Sequence, residues 1–570
     1  MKRIHQMVLV LSLFLTVVSS SSRAEPAFPE PLKGLQLSDL RLIPTQSGGR
    51  IKPFDEFARE TVLSLTGMRS FGKMDPNEMI LSIMVNPKEW SELPIIRISN
   101  DDLKKQLLVD QTQKYFSTAE LMKNNVFLQY AQGISGEGAQ VTSKGIDVTT
   151  SKKDPRTEEL KRVVDRVSRF QALVSGQLWM VVPDQAATAA GKDGEKPWVS
   201  LNAAMKLDTV QLHAVMGVLK AYLEKDTDGF QKSAEQARQT ISEIVPGFEE
   251  VKTKLNAEVT YNLLRPFLQA MIFYLLAGIL WMFAKRFSFA RMMAKFLTFV
   301  AMVLHITGFG LRCYVAGRPP VTNMYESIIW VSFGVMVFAL LIYTKHRQHI
   351  LLTVSTTLAG LALFAADTAP LVMDPTIRPL VPVLRSNYWL TIHVLTITLS
   401  YAAFMLAMGI SNVSLFQFTR KPSEAVEQRI SLLNMLSYRA LMFGTVFIAA
   451  GTILGGIWAD YSWGRFWGWD PKEVWALIAL LSYIAILHAR YTGWIGKYTF
   501  PLWSVICYST VLMAWYGVNF ILGVGLHSYG FSSGGQAVMA GFIILQGTYC
   551  TWVQIRKKQV HDLTVSHAAV

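Results

Sequence analysis

Trp458-Ala-Asp-Tyr-Ser-Trp463-Gly464-Arg465-Phe-Trp467-Gly468-Trp469-Asp470-Pro471-Lys-Glu473-Val-Trp475 sets five tryptophans within eighteen residues, between two long apolar runs. Indole buries its ring while keeping its N–H wet, so tryptophan favours membrane–water interfaces. An ordinary interfacial belt spreads such residues over many helix ends. Here they share one short segment with Gly, Asp and Glu, which offers flat apolar faces, close backbone approach and a few fixed polar groups. That combination suits a large planar ligand lying at the membrane surface, and porphyrin is the leading candidate.

Working outward, apolar stretches long enough to cross a hydrocarbon core fall near 263–283, 294–312, 326–343, 350–366, 389–418, 438–457, 474–489, 500–523 and 535–553. The fold class is therefore an α-helical polytopic membrane protein of about nine transmembrane helices, with an N-terminal, mainly helical extracytoplasmic domain. The formal net charge of +14 is distributed by topology. Counting short loops after residue 283, one alternating set holds Lys285, Arg286, Arg291, Lys295, Lys345, Arg347, Arg420, Lys421, Arg429, Arg490, Lys497, Arg556, Lys557 and Lys558. The other holds only Arg312, Arg318, Arg378, Arg385, Arg465 and Lys472. The positive-inside rule puts the first set in the cytoplasm, so the Trp-rich segment faces outside. The charge thus calls for a lipid bilayer and no nucleic acid.

Residues 1–24 read as a signal peptide, with basic Lys2 and Arg3, an apolar run from Met7 to Val18 and small residues up to Ala24; a retained anchor is the alternative. Residues 25–262 read as an extracytoplasmic soluble domain, with amphipathic patterns at 158–180, 201–223 and 228–244 and polar loops at 133–155 and 184–197. Its Trp90, Trp179 and Trp198 read as core, and Arg50–Glu60 as a capped helix start. Residues 263–553 form the transmembrane domain, with the Trp-rich loop at 458–473, and 554–570 a cytoplasmic tail. Cys313, Cys507 and Cys550 form no paired framework.

Two histidines reach the outer surface with the Trp-rich loop: His393, at the outer start of the fifth span, and His527, just past the eighth. Neutral imidazoles on opposite faces of a porphyrin would fill both axial positions of a six-coordinate iron. His488, at the inner end of the seventh span, is a candidate ligand for a second, inner haem, and His305, within the second, a speculative partner for it. Arg378, Arg385 and Arg465 are candidate partners for the anionic propionates, or solvated loop charges. Asp470 and Glu473 read as braces for the loop that presents Trp458, Trp463, Trp467 and Trp469.

The segment Trp463-Gly-Arg-Phe-Trp467-Gly-Trp469-Asp470-Pro-Lys-Glu473 resembles the WWD signature of haem-handling cytochrome c biogenesis proteins, and the chain is similar to the CcsA (ResC) family, the membrane subunit of the system II cytochrome c synthase. Gly317-Arg-Pro-Pro-Val-Thr-Asn323-Met-Tyr325-Glu326-Ser327, Trp389-Leu-Thr-Ile-His393, Leu487-His488-Ala-Arg490 and Gly517-Val-Asn519 with Gly525-Leu-His527-Ser-Tyr529 carry the same likeness over roughly 290–553. The resemblance implies haem b as bound substrate, outer ligation by His393 and His527, and inner ligation at His488. It further implies transport of haem to the outer face and its thioether attachment to the CxxCH motif of an apocytochrome c, a probable-synthase activity shared with a CcsB (ResB)-like partner. A thiol-reducing protein would supply reduced cysteines. The second inner ligand comes from that partner or from His305. A CcmF-type haem lyase subunit and a non-catalytic haem exporter are the alternatives; a quinone-linked respiratory subunit is a distant third.

Overall fold

A computed structural model of the chain describes residues 28–135, 155–183, 198–207, 209–245, 247–319, 321–370, 372–379, 387–522 and 535–568. His527 and Arg385 lie outside the described residues, as does the proposed signal.

The chain forms two compact units. One comprises the described part of Met1–Leu37 with Thr61–Trp179 and Val199–Ala237. Its helices Pro155–Val174 and Val210–Leu223 overlap the amphipathic patterns read at 158–180 and 201–223. Short strands β3 (Pro94–Arg97) and β4 (Tyr115–Ser117) pair antiparallel beside them, an element type the helical periodicity did not reveal. Trp90 and Trp179 are core residues, Trp90 with its indole N–H donated to Ser82 Oγ at 2.9 Å.

Glu78 is buried in the same unit, accepting from Leu32 N at 2.6 Å and Tyr222 Oη–H at 3.4 Å. Burial raises its carboxyl above the ordinary value despite those donors. A carboxyl raised in the folded state stabilises most below its unfolded value, and that contribution disappears as pH climbs through the folded one. Glu78→Gln should therefore flatten the decline in melting temperature of the full-length protein as pH rises above the ordinary carboxylate range. Coincident melting profiles for wild type and variant would disprove this.

The second unit comprises Ser38–Glu60, Met180–Trp198 and Arg238–Val570. Strands β1 (Pro44–Ser47) and β2 (Arg50–Pro53) form an antiparallel hairpin, and β1 also pairs with β5 (Met180–Pro183). Among the described residues, nine helical spans are long and apolar enough to cross a membrane, and each overlaps a stretch expected from hydropathy. The first is α1 (Phe248–Leu264) continued by α2 (Pro266–Phe283), broken where Arg265 takes a left-handed backbone ahead of Pro266. There follow α3 (Ser288–Ala316), α4 (Met324–His346), α5 (His349–Thr368), α6 (Asn387–Gln417), α7 (Glu424–Trp463) and α8 (Pro471–Tyr491). The eighth span runs through α9 (Thr499–Ile506), α10 (Tyr508–Leu512) and a π-helical turn, Met513–Leu522; α11 (Gln536–Ala568) supplies the ninth.

The antiparallel pair α6 and α7 positions the functional end. Ser414 Oγ donates to Asn434 Oδ1 at 2.7 Å, and Ser411 and Ser437 hydroxyls meet at 2.8 Å. One to two turns on, the Phe404 ring lies against Gly444; then Ile397 lies against Gly451 and His393 against Gly455. Equal steps along both helices keep this register over six turns. In a membrane, where lipid competes for apolar contact, small residues that let backbones approach drive such packing. The Gly451-Thr-Ile-Leu-Gly455 spacing is the sequence signature of this face.

Candidate functional site

Helix α7 does not end at residue 457, where hydropathy fades. It continues through Trp463, so Trp458 and Trp463 are helical and the loop proper is only Gly464–Asp470. The extra turns keep backbone groups paired, and Gly464, with φ of 71°, ends the helix by returning its N–H to Asp460 O at 2.8 Å. Trp458 is almost fully buried, and its ring meets Trp463 edge-on with centroids 4.8 Å apart.

His393 stands opposite. Its Nδ1 lies 2.8 Å from the Gly451 carbonyl. A carbonyl only accepts, so Nδ1 carries the proton and Nε2 holds the lone pair of the neutral ring. Fixing one ring nitrogen on a backbone carbonyl is the usual way a ligating imidazole is oriented. The ring lies nearly parallel to Trp458, at 7° and 6.2 Å between centroids. A Cβ at position 455 would fall 2.7 Å from the imidazole, so only glycine leaves the ring this place.

The loop is braced from α8. Asp470 and Glu473 form a capping box around Pro471. Glu473 Oε2 accepts from Gly468 N at 2.8 Å and from Asp470 N at 3.1 Å, the two residues flanking Trp469. Tying both neighbours to one oxygen holds Trp469 in the left-handed region, φ 56°, an uncommon conformation for a bulky residue. Its indole is turned outward, 72% exposed. Trp467 stands perpendicular to it at 6.0 Å. The other oxygen, Oε1, pairs with Arg465 Nη1 at 3.6 Å, an ion pair too long for a hydrogen bond, while the Arg465 guanidinium lies 5.9 Å from the Trp463 ring centroid. Arg465 occupies the space a side chain at Gly468 would need. Asp470 and Glu473 thus brace the loop as expected. Lys472 Nζ reaches Asn519 Oδ1 at 3.5 Å, joining the loop to the eighth span.

Loss of a capping side chain costs about 0.5–2 kcal/mol. Glu473→Ala should accordingly reduce retained haem several-fold, with the chain still present at normal levels in membranes. The ratio of haem absorbance to protein checks this, and an unchanged ratio would dismiss the brace as irrelevant to the site.

The remaining candidates divide. Arg378 is exposed and engaged with Asp374 Oδ2 at 2.8 Å and Thr376 Oγ1 at 3.1 Å. His488 is exposed near the end of α8, with Nδ1 2.9 Å from Ile484 O of its own helix, which places the lone pair of the neutral ring on Nε2. His305 is different. It is fully buried, with Nε2 3.1 Å from Ile329 O, Nδ1 3.4 Å from Tyr274 Oη, and Phe267, Phe309 and Phe333 around the ring. Both nitrogens are committed to protein groups and the aromatic cage is packed. Its speculative assignment as a haem ligand gains nothing from this geometry, and a packing role replaces it. Arg312, counted above as a loop charge, is likewise inside α3, where it pairs with Glu326 in the interior. Among the described residues no group of three or more His, Cys, Asp or Glu could hold a metal ion.

Fold and site define a multi-pass helical membrane protein that presents an oriented histidine beside an indole shelf. Residues 321–527 match the model of the cytochrome c assembly protein family. CcsA, the cytochrome c biogenesis protein of Prochlorococcus marinus MIT 9301, is 33% identical over 279 residues, 44% of this chain and 88% of the relative. CcsA of Gloeothece citriformis is 34% identical, over 39% of this chain and 82% of its own. The chain belongs to the CcsA family of cytochrome c biogenesis proteins. Protein NrfI of Wolinella succinogenes is 29% identical over 507 residues, 84% of this chain, and the chain spans about half the length of NrfI, 53%. The solved cytochrome c haem lyase CcmF is similar at 16% identity and a TM-score of 0.37, covering 53% of this chain and 51% of that one.

Proposed function

We propose that the protein handles haem in cytochrome c maturation, holding haem b at the outer face of the cytoplasmic membrane for covalent attachment to the CxxCH cysteines of an apocytochrome c. The observation that carries this is His393: its tautomer is fixed by Gly451, its ring is parallel to Trp458, and its position at the Trp-rich end of the bundle suits an axial ligand. His527, outside the described residues, would supply the opposite ligand, on the topology expected from the charge pattern. Trp463, Trp467 and Trp469 would cover the porphyrin, and Arg465, Arg378 and Arg385 would meet its carboxylates.

Thioether formation adds each thiol S–H across a haem vinyl group, with no net oxidation. What the chain's own residues contribute is position: a fixed ring nitrogen, an apolar shelf, and an exposed edge that an unfolded peptide can reach. Displacement of one histidine by the substrate's own would release the product. Arrival of reduced cysteines implies a thiol-reducing protein.

The exposure of His488 on a membrane helix supports an inner haem site completed by a second subunit of the CcsB (ResB) type, and it makes catalysis the property of the pair. Purified with that subunit, the wild-type protein is expected to show the spectrum of low-spin haem. His393→Ala and His527→Ala should each lose most of the outer haem and abolish maturation, read as covalent haem on denaturing gels. Full haem content and normal maturation in both variants would overturn the proposal.

A further inference from the structure

Five successive backbone carbonyls, from Asp374 to Arg378, each accept a hydrogen bond from a side chain of another part of the chain. Asn323 Nδ2 donates to Asp374 at 3.2 Å. Arg312 gives Nη1 to Pro375 at 2.8 Å and Nη2 to Thr376 at 3.2 Å. Arg318 Nη2 reaches Arg378 at 2.8 Å. These donors come from α3, the turn after it and the cap of α4. The remaining carbonyl, of Ile377, accepts from Arg50 Nε at 2.9 Å, and Arg50 belongs to β2, 327 residues earlier in the chain. A segment without secondary structure ordinarily leaves its carbonyls to water. Here the backbone is held at every step.

Arg50 is itself held. Its two terminal nitrogens fork onto Glu258 of α1, Nη1 to Oε2 at 2.7 Å and Nη2 to Oε1. A bidentate pair fixes the guanidinium plane, which aims the remaining Nε–H at Ile377. The first turn of the helix that follows the hairpin is seated on α1 too, because Asn262 Nδ2 donates to Asp55 Oδ2 at 2.9 Å and Glu56 Oε2 at 2.8 Å. At the hairpin turn, Gly49 approaches Pro379 so closely that a Cβ there would lie 3.4 Å from the proline ring. Pro379 is the last described residue before α6, and His393 lies in the second turn of that helix.

We propose that Arg50 is a positioning residue for the outer haem site: the β1–β2 hairpin is a strut that acts through the Ile377 carbonyl to fix residues 374–379, the described segment that precedes α6 and His393. Segment 38–60, which precedes all nine spans, thereby becomes part of the haem-handling unit. The inference rests on the assignment of His393 as an outer ligand.

Hydrogen–deuterium exchange across 372–379 and the visible spectrum, recorded on the same purified full-length samples, test it. Arg50→Gln with Glu258→Gln removes the fork without stranding a buried carboxylate, and Arg50→Lys keeps the charge but has no planar fork. The double variant should exchange about tenfold faster in this segment and lose low-spin haem, with R50K intermediate in both. Wild-type exchange in an accumulating variant overturns the strut. Faster exchange with an unchanged spectrum overturns the positioning role. If the double variant fails to accumulate, R50K decides by the same two readings. If wild type itself carries no haem, the ligand assignment falls, and exchange alone still judges the strut.

Discussion

Gly455→Ala should lower haem occupancy of the outer site about tenfold while the chain stays folded in the membrane, a loss equivalent to about 1.4 kcal/mol. The added methyl would stand 2.7 Å from His393 Cε1 and 2.9 Å from Nδ1, well inside contact distance. Retreat of the ring means leaving the Gly451 carbonyl or pressing on the buried Trp458 stacked beside it. Overpacking of this kind typically costs about 1–3 kcal/mol. Helix propensity pulls the other way, since alanine in a helix interior is favoured over glycine by about 0.8–1.0 kcal/mol. The backbone therefore gains while the imidazole loses, and failure would report ligand placement rather than unfolding. Haem-to-protein ratio from absorbance, with chain abundance from an immunoblot, gives the answer. A G455A protein with wild-type haem and wild-type maturation would show that the imidazole's seat on α7 does not matter.

Hydropathy and charge bias made the membrane helices legible because crossing a hydrocarbon layer imposes length and composition on each helix locally. The brace at Asp470 and Glu473 was legible for the same reason: a capping box is a pattern three residues wide. What stayed hidden depends on partners far apart in sequence. Gly451 and Gly455 look like permissive helix residues until His393 and Ile397 are set against them. Arg50 reads as the start of a capped helix until Glu258 and Ile377 meet it. Arg312 was assigned to a loop because hydropathy averages over a window and ends a span where the first charge appears. A charge inside an otherwise apolar helix is itself a signal for an internal partner, and Glu326, fourteen residues on, was available as one.

That pair sets up the largest stability effect expected here. Arg312→Met should remove most folded protein from the membrane. Arg312 and Glu326 are both completely buried, joined by Nε–Oε1 at 3.1 Å and Nη2–Oε1 at 2.9 Å, and the guanidinium lies 5.2 Å from the Tyr325 ring centroid. Breaking a buried pair by deleting one partner costs about 3–5 kcal/mol. The carbonyls of Pro375 and Thr376 lose their donor at the same time, at about 1–3 kcal/mol for each group left unpaired in the interior. Against a total stability of about 5–15 kcal/mol, that is enough to unfold the bundle. Glu326 keeps Arg318 Nη1 at 3.2 Å and Thr322 on its other oxygen, at 2.7 Å from N and 2.8 Å from Oγ1, so Arg312→Lys, which preserves the charge, should fall between. Removing both charges in Arg312→Met with Glu326→Leu should recover at most a small part of the abundance, because it removes the under-compensated carboxylate but takes the acceptor from Arg318 and Thr322. Maturation should not recover with it, since the Pro375 and Thr376 carbonyls still lack their donor. Monodisperse protein by detergent chromatography, the thermal midpoint and covalent haem on gels separate these outcomes. If R312M accumulates and melts like wild type, the buried pair contributes nothing to the bundle.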